Sequence, residues 1–136
     1  MRFMILRKAD KVTEGGRPPE ELLAAMAKYA EEMAQAGVLL AGSGLQPTSK
    51  GARIRFAGGK PTVMDGPFTE SKELLAGYFL IEVRSKPEAI DWARRWPPVD
   101  ANVELEVREV VEAADCVVSR AIEREIERRK ELAATK

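Results

Sequence analysis

The chain has 136 residues, a length that fits one domain with a hydrophobic core of its own. Lys+Arg and Asp+Glu both number 22, so the formal net charge is zero, and a nucleic-acid partner is not expected because such proteins carry a basic excess or a basic face. Histidine is absent and Cys116 is the single cysteine, which excludes Ser-His-Asp and Cys-His catalysis, imidazole metal ligation and a disulfide framework within this chain.

The first residues, "RFMILRK" (2–8), form a short apolar run with both alternating faces largely hydrophobic, the pattern of a central strand covered on both sides. The run is too short for the core of a signal peptide, and no stretch approaches 18 consecutive apolar residues, so neither export nor a membrane span is expected. With one cysteine, a reducing cytoplasm is the expected compartment, and Cys116 reads as a half-buried small apolar residue. Residues 9–19, polar and holding Gly15, Gly16 and two prolines, read as a loop. Pro19, Glu20 and Glu21 then open a helix: proline suits the first turn, and acids there suit the helix dipole. Leu22, Met26, Tyr29 and Met33 mark its apolar stripe and Gly37 ends it.

"VLLAGSGL" (38–45) begins as a strand broken by Gly42 and Gly44, and "ARIRFAGGKPTVM" reads as a hairpin with "AGGK" at its turn. After "DGPFTESKE" comes the strand "GYFLIEVR" (77–84), then a helix over residues 85–96 capped by Ser85 and stopped by Pro97–Pro98, with Trp92 and Trp96 as packing residues. Residues 103–111 alternate Val103, Leu105 and Val107 against Glu104, Glu106 and Arg108, a strand with one polar face. The rest, residues 113–136, is a highly charged helix with a thin stripe of Val118, Ile122 and Ile126 and a Glu125–Arg129 spacing suited to an ion pair.

The order β-α-β, hairpin, β-α-β predicts an α+β, ferredoxin-like fold with an inserted β-hairpin and a C-terminal helical extension. Two helices cover only one face of such a sheet. The other face carries Met4 and Leu6, or Tyr78 and Leu80, according to strand parity, and apolar sheet surface of that kind calls for a partner. The expectation is a homodimer packed sheet against sheet, closing a dimeric α/β barrel, with a cavity at the interface.

Several residues are candidates for a site. Asp65 precedes Gly66 and Pro67, where its carboxylate either fixes the turn or faces a ligand pocket. Glu70 and Glu73 lie three apart, and paired carboxylates shift each other's pKa and serve as acid and base; Lys72 between them suits an anionic ligand or a neighbouring acid. Ser43, Ser49, Lys50 and Arg53, joined by Arg7 from the end of the first strand, make a polar, anion-friendly mouth, although the glycines here lack phosphate-loop spacing. Catalysis, if present, is expected at Asp65 and Glu70, and ligand binding at Arg7, Ser43, Arg53, Asp65 and Lys72, with no metal and no cofactor.

"MDGPFTESKELLAGYFLIEV", together with "MRFMILRKADK", "ELLAAMAKYAEEMAQAGVLLAGSGLQPTSKGARIRF" and "VELEVREV", resembles the YCII-related family, in the branch named for its DGPF motif. The resemblance spans residues 1–112, which form the expected domain, and leaves residues 113–136 as an extension particular to this chain. It implies a ferredoxin-like dimeric α+β barrel and little about activity. A His–Asp dyad proposed in the wider family has no histidine here to carry it. The expected function is a homodimer binding a small molecule in an inter-subunit cavity. The alternatives are an enzyme using carboxylates for acid/base chemistry on a small organic acid, or a regulatory, protein-interaction module acting through the charged helix.

Overall fold

Alternate residues of a strand face opposite ways, and in β1 (Arg2–Lys8) this parity separates buried Phe3, Ile5 and Arg7 from half-buried Met4 and Leu6. A computed structural model describes residues 1–69 and 73–135. After β1 come a one-turn helix α1 (Lys11–Glu14), α2 (Glu20–Gln35), β2 (Leu39–Gly44), a 3₁₀ turn (Thr48–Lys50), β3 (Ala52–Ala57) and β4 (Lys60–Asp65). They are followed by β5 (Leu75–Glu82), α3 (Lys86–Arg94), β6 (Leu105–Glu109), a 3₁₀ turn (Ala113–Asp115) and α4 (Val117–Ala134). The protein is a mixed α+β structure with antiparallel sheets and a C-terminal helix. One sheet has four strands in the order β2-β5-β1-β6; β3 and β4 form a separate hairpin. That hairpin turns at Gly58 and Gly59, both at positive φ, where side-chain-bearing residues are strained.

The core lies on one face of the four-stranded sheet. Phe3, Ile5, Ile81 and Val83 pack there against Tyr29 and Met33 of α2 and against Ala89, Trp92 and Trp96 of the α3 segment. The amphipathic spacing of α2 supplies this contact. Ser85 caps α3, its hydroxyl accepting from the Glu88 amide. On the opposite face the register makes Met4 the partner of Leu80 and Leu6 the partner of Tyr78, so the two pairs that sequence parity offered as alternatives lie side by side. Arg2 and Lys8 flank them, paired with Glu123 of α4 and Glu106 of β6.

Three local readings are corrected. Residues 9–19 are not loop throughout, because Asp10 and Thr13 form a reciprocal capping box that closes α1: Asp10 Oδ1 accepts from the Thr13 amide and Thr13 Oγ1 accepts from the Asp10 amide, both at 2.9 Å. Strand β2 runs through Gly42 to Gly44 instead of breaking there, since Gly42 sits opposite Phe79 and its bare Cα leaves room for the ring. In α4, Glu125 pairs with Arg128 at 3.7 Å, one position nearer than Arg129. The stripe of Val118, Ile122 and Ile126 is exposed. Among the described residues, no helix is long and apolar enough to cross a membrane.

Tyr29 gives the core a measurable signature. It is 2% exposed, and its hydroxyl donates to the Trp92 carbonyl. Burial, with Glu32 assisting and Arg95 opposing, pushes the phenol from 10.0 up to about 12. The folded chain therefore holds this proton more tightly than the unfolded chain. The resulting stability is complete below pH 10 and is lost as pH rises through about 12. Relative to Tyr29→Phe, the wild type should lose on the order of 2 kcal/mol of unfolding free energy across that window. Parallel pH slopes for the two proteins in urea denaturation would contradict the assignment.

Candidate functional site

Parity places Arg7 on the helix-covered face, directly after Phe3 and Ile5, where a guanidinium needs partners. Asp100, 93 residues away in the connection between α3 and β6, supplies them: Arg7 Nε donates to Oδ2 at 2.8 Å and Nη2 to Oδ1 at 2.6 Å, a bidentate fork. Arg7 Nη1 donates to the Lys8 carbonyl at 2.8 Å and Nη2 also reaches Asp10 Oδ2 at 3.3 Å. Trp96 Nε1 donates to Asp100 Oδ2 at 3.0 Å, joining the end of α3 to the same carboxylate. The side chains of Arg7 and Asp100 are only 9% and 8% exposed. Burial works against the Arg7 charge, but the hydrogen bonds and charge of Asp100, with Asp10 behind, outweigh it and raise the guanidinium above its ordinary value. Burial pushes Asp10 up, while the Thr13 amide and the Arg7 charge hold its carboxyl below the usual range.

This ion pair closes the polar end of a cavity of about 310 Å³ between α2 and the sheet. Leu22, Leu23 and Met26 of α2 form one wall. The floor is backbone: Gly42, Gly44 and Gly77 put no side chains into the space. A Cβ on Gly42 would lie 2.6 Å from the Phe79 ring, so the ring takes the volume that a side chain there would fill. Phe79 and Trp96 pack edge-on with each other and with Tyr29, centroids 5.5–5.8 Å apart, and Phe79 and Trp96 of this trio border the cavity. Chemically the space is an apolar slot with one polar pole, the form a small-molecule site takes.

Of the expected site residues, Arg7 and Ser43 border this cavity. Asp65 and Arg53 do not: Asp65 is the exposed last residue of β4, paired with Ala52, and Arg53 lies on β3 with its guanidinium 4.0 Å from the Phe68 ring centroid. Glu70 and Lys72 lie outside the described residues. The DGPF segment is instead docked by its backbone. Gly66 N–H donates to the Gly51 carbonyl and Phe68 N–H to Thr48 Oγ1, both at 3.0 Å. Thr48 in turn donates through its amide (3.1 Å) and its hydroxyl to the Glu14 carboxylate of α1. The Gly66–Pro67 peptide is cis, and a Cβ on Gly66 would overlap the Thr48 carbonyl oxygen, so only glycine lets the turn seat. The segment is thus tied to α1, whose Thr13 borders the cavity. Sequence reasoning missed Asp100, Trp96 and Thr13 as cavity residues. The pairing of Asp100 spans most of the chain and has no local signal, whereas the Asp10-x-x-Thr13 cap was visible.

Comparison with known proteins gives three findings. An uncharacterised protein of Rhizobium meliloti (strain 1021) is 43% identical over 81 residues, which cover 60% of this chain and 62% of that protein, so the match spans less than two thirds of the relative. A solved structure, 5-chloro-2-hydroxyhydroquinone dehydrochlorinase from Burkholderia phenoliruptrix AC1100 in complex with 2,5-dihydroxybenzoquinone, is 18% identical and covers 82% of this chain and 95% of its own at a TM-score of 0.49. The family model of the YCII-related domain matches residues 1–114, the whole described body of sheet, hairpin and helices up to the start of α4, and on that match the chain belongs to the YCII-related domain family.

Proposed function

We propose that this protein binds a small molecule in the cavity between α2 and the glycine floor, as a homodimer of ferredoxin-like subunits in the DGPF branch of its family. The observation that carries the reading is the cavity itself: about 310 Å³, apolar on most sides, with a buried Arg7–Asp100 ion pair at one end. Of the residues expected to bind a ligand, Arg7 and Ser43 line it, joined by Asp100 and Thr13. Asp65 and Arg53 belong in this reading to the hairpin and its DGPF turn. Strand order β2-β5-β1-β6 supports the ferredoxin-like assignment. The homodimer is supported by the apolar residues that α2 and α3 leave uncovered, Met4, Leu6, Tyr78 and Leu80, and by the exposed Ile54, Phe56 and Val63 of the hairpin. In this reading the ligand lies on the helix face within each subunit, and not in the inter-subunit cavity that the sequence led us to expect, while the partner covers the opposite face. Residues 113–136 are a separate helical extension of the 1–112 domain.

A metabolite library screened by thermal shift on three proteins tests the site. Ala27 is exposed on α2 and borders the cavity, so Ala27→Trp fills the space without disturbing the core. Hits on the wild type should persist in Asp65→Asn and disappear in Ala27→Trp. Loss in Asp65→Asn with retention in Ala27→Trp would move the site to the DGPF turn and return the carboxylate-enzyme reading.

A further inference from the structure

Resting on the cavity as a ligand site, we infer that its occupant is uncharged: an apolar body carrying one neutral group that both donates and accepts hydrogen bonds, such as a hydroxyl or a primary amide, and not a carboxylate or phosphate. The presence of an arginine invites the opposite conclusion, but the arginine is already spoken for. Of its five N–H groups, one binds Asp100 Oδ2, one Asp100 Oδ1, one Asp10 and one the Lys8 carbonyl, which leaves a single donor. Among the described residues, Asp100 Oδ2 accepts from both Arg7 and Trp96, whereas Oδ1 accepts from Arg7 alone and keeps one lone pair open. The pole therefore offers one donor, on Arg7 Nη1, and one acceptor, on Asp100 Oδ1, with Ser43 and Thr13 in the same lining, a set of donors and acceptors that a hydroxyl or an amide satisfies.

The local field agrees. Around the pole stand two cations, Arg7 and Lys11, and three carboxylates, Asp10, Glu21 and Asp100, so the surplus is negative. An anion entering beside Arg7 would meet a neutralised guanidinium and an excess of carboxylate, with Leu22, Leu23 and Met26 unable to replace its hydration. An ammonium group is favoured by the field, yet it too loses its water to an apolar wall.

The test uses the full chain, labelled with ¹⁵N, and four probes of one shape at neutral pH: benzamide, benzyl alcohol, benzoate and benzylammonium. The amide signals of Gly42, Gly44 and Gly77 report the cavity. Benzamide and benzyl alcohol should move them with affinities about tenfold above that of benzoate or benzylammonium. Asp10→Asn removes one carboxylate while keeping the α1 cap, since asparagine caps as well as aspartate, and it should raise benzoate affinity by about fivefold. Benzoate or benzylammonium binding in the cavity as tightly as benzamide overturns the inference and leaves the site standing. If none of the four probes moves the three glycines, the cavity fails as a ligand site and the inference falls with it.

Discussion

Removing the Asp100 carboxylate should cost the protein about 3–5 kcal/mol of stability, because it strands a buried cation. In Asp100→Ala, the Nε and one Nη2 donor of Arg7 and the indole N–H of Trp96 lose their acceptor together, and among the described residues Arg7 keeps only the weaker carboxylate contact to Asp10 at 3.3 Å. Urea denaturation should show a large fall in midpoint at constant slope. Replacing both partners by apolar residues, as in Arg7→Met with Asp100→Leu, should recover much of the loss, since a well-packed apolar pair avoids the desolvation of two ions. A double variant as unstable as the single one would mean that the pair is a net source of stability. If the double variant folds, stability and binding separate: the cavity keeps its walls and loses its polar pole.

The second large effect is expected at Gly66→Ala. A methyl group there overlaps the Thr48 carbonyl, which is backbone and cannot swing aside. The DGPF turn should therefore lift from the Thr48–Lys50 turn, at a cost on the order of 2 kcal/mol or more. Hydrogen exchange localises the damage. The amides of Gly66 and Phe68, bonded to Gly51 and Thr48, should lose protection, while Ile5 and Ile81 in the central strands keep theirs. Uniform loss across the sheet would mean that the turn is part of the core's cooperative unit and not a docked attachment.

These results bear on what could be read from the residues alone. Helix α2, the capped α3 and the alternation in β6 follow from local spacing, and the zero net charge and missing histidine set firm limits on chemistry. The DGPF run is so dense in functional groups that it draws the eye as a site. Its hydrogen bonds within the described residues are nevertheless structural, and they run to Gly51 and Thr48, neither of which looks notable in sequence. The cavity is the converse case. Two of its floor glycines, Gly42 and Gly44, read as strand breaks, and its pole joins Arg7 to Asp100 across 93 positions, a pairing set by strand parity and by where the loop after α3 returns. Long-range juxtaposition of this kind has no signature in composition or period.

The chain contains two tryptophans, and they form a built-in test of the central claim. Trp96 borders the cavity and donates to Asp100, whereas Trp92 is not a cavity residue and lies under the Arg95 guanidinium at 4.2 Å. A ¹H–¹⁵N spectrum therefore holds two indole signals, recorded with and without a ligand from the thermal-shift screen. Binding in the cavity should move the Trp96 indole signal and leave that of Trp92 in place. A ligand that stabilises the protein while both indole signals stay fixed, and the amides of residues 52–65 move instead, would contradict the account.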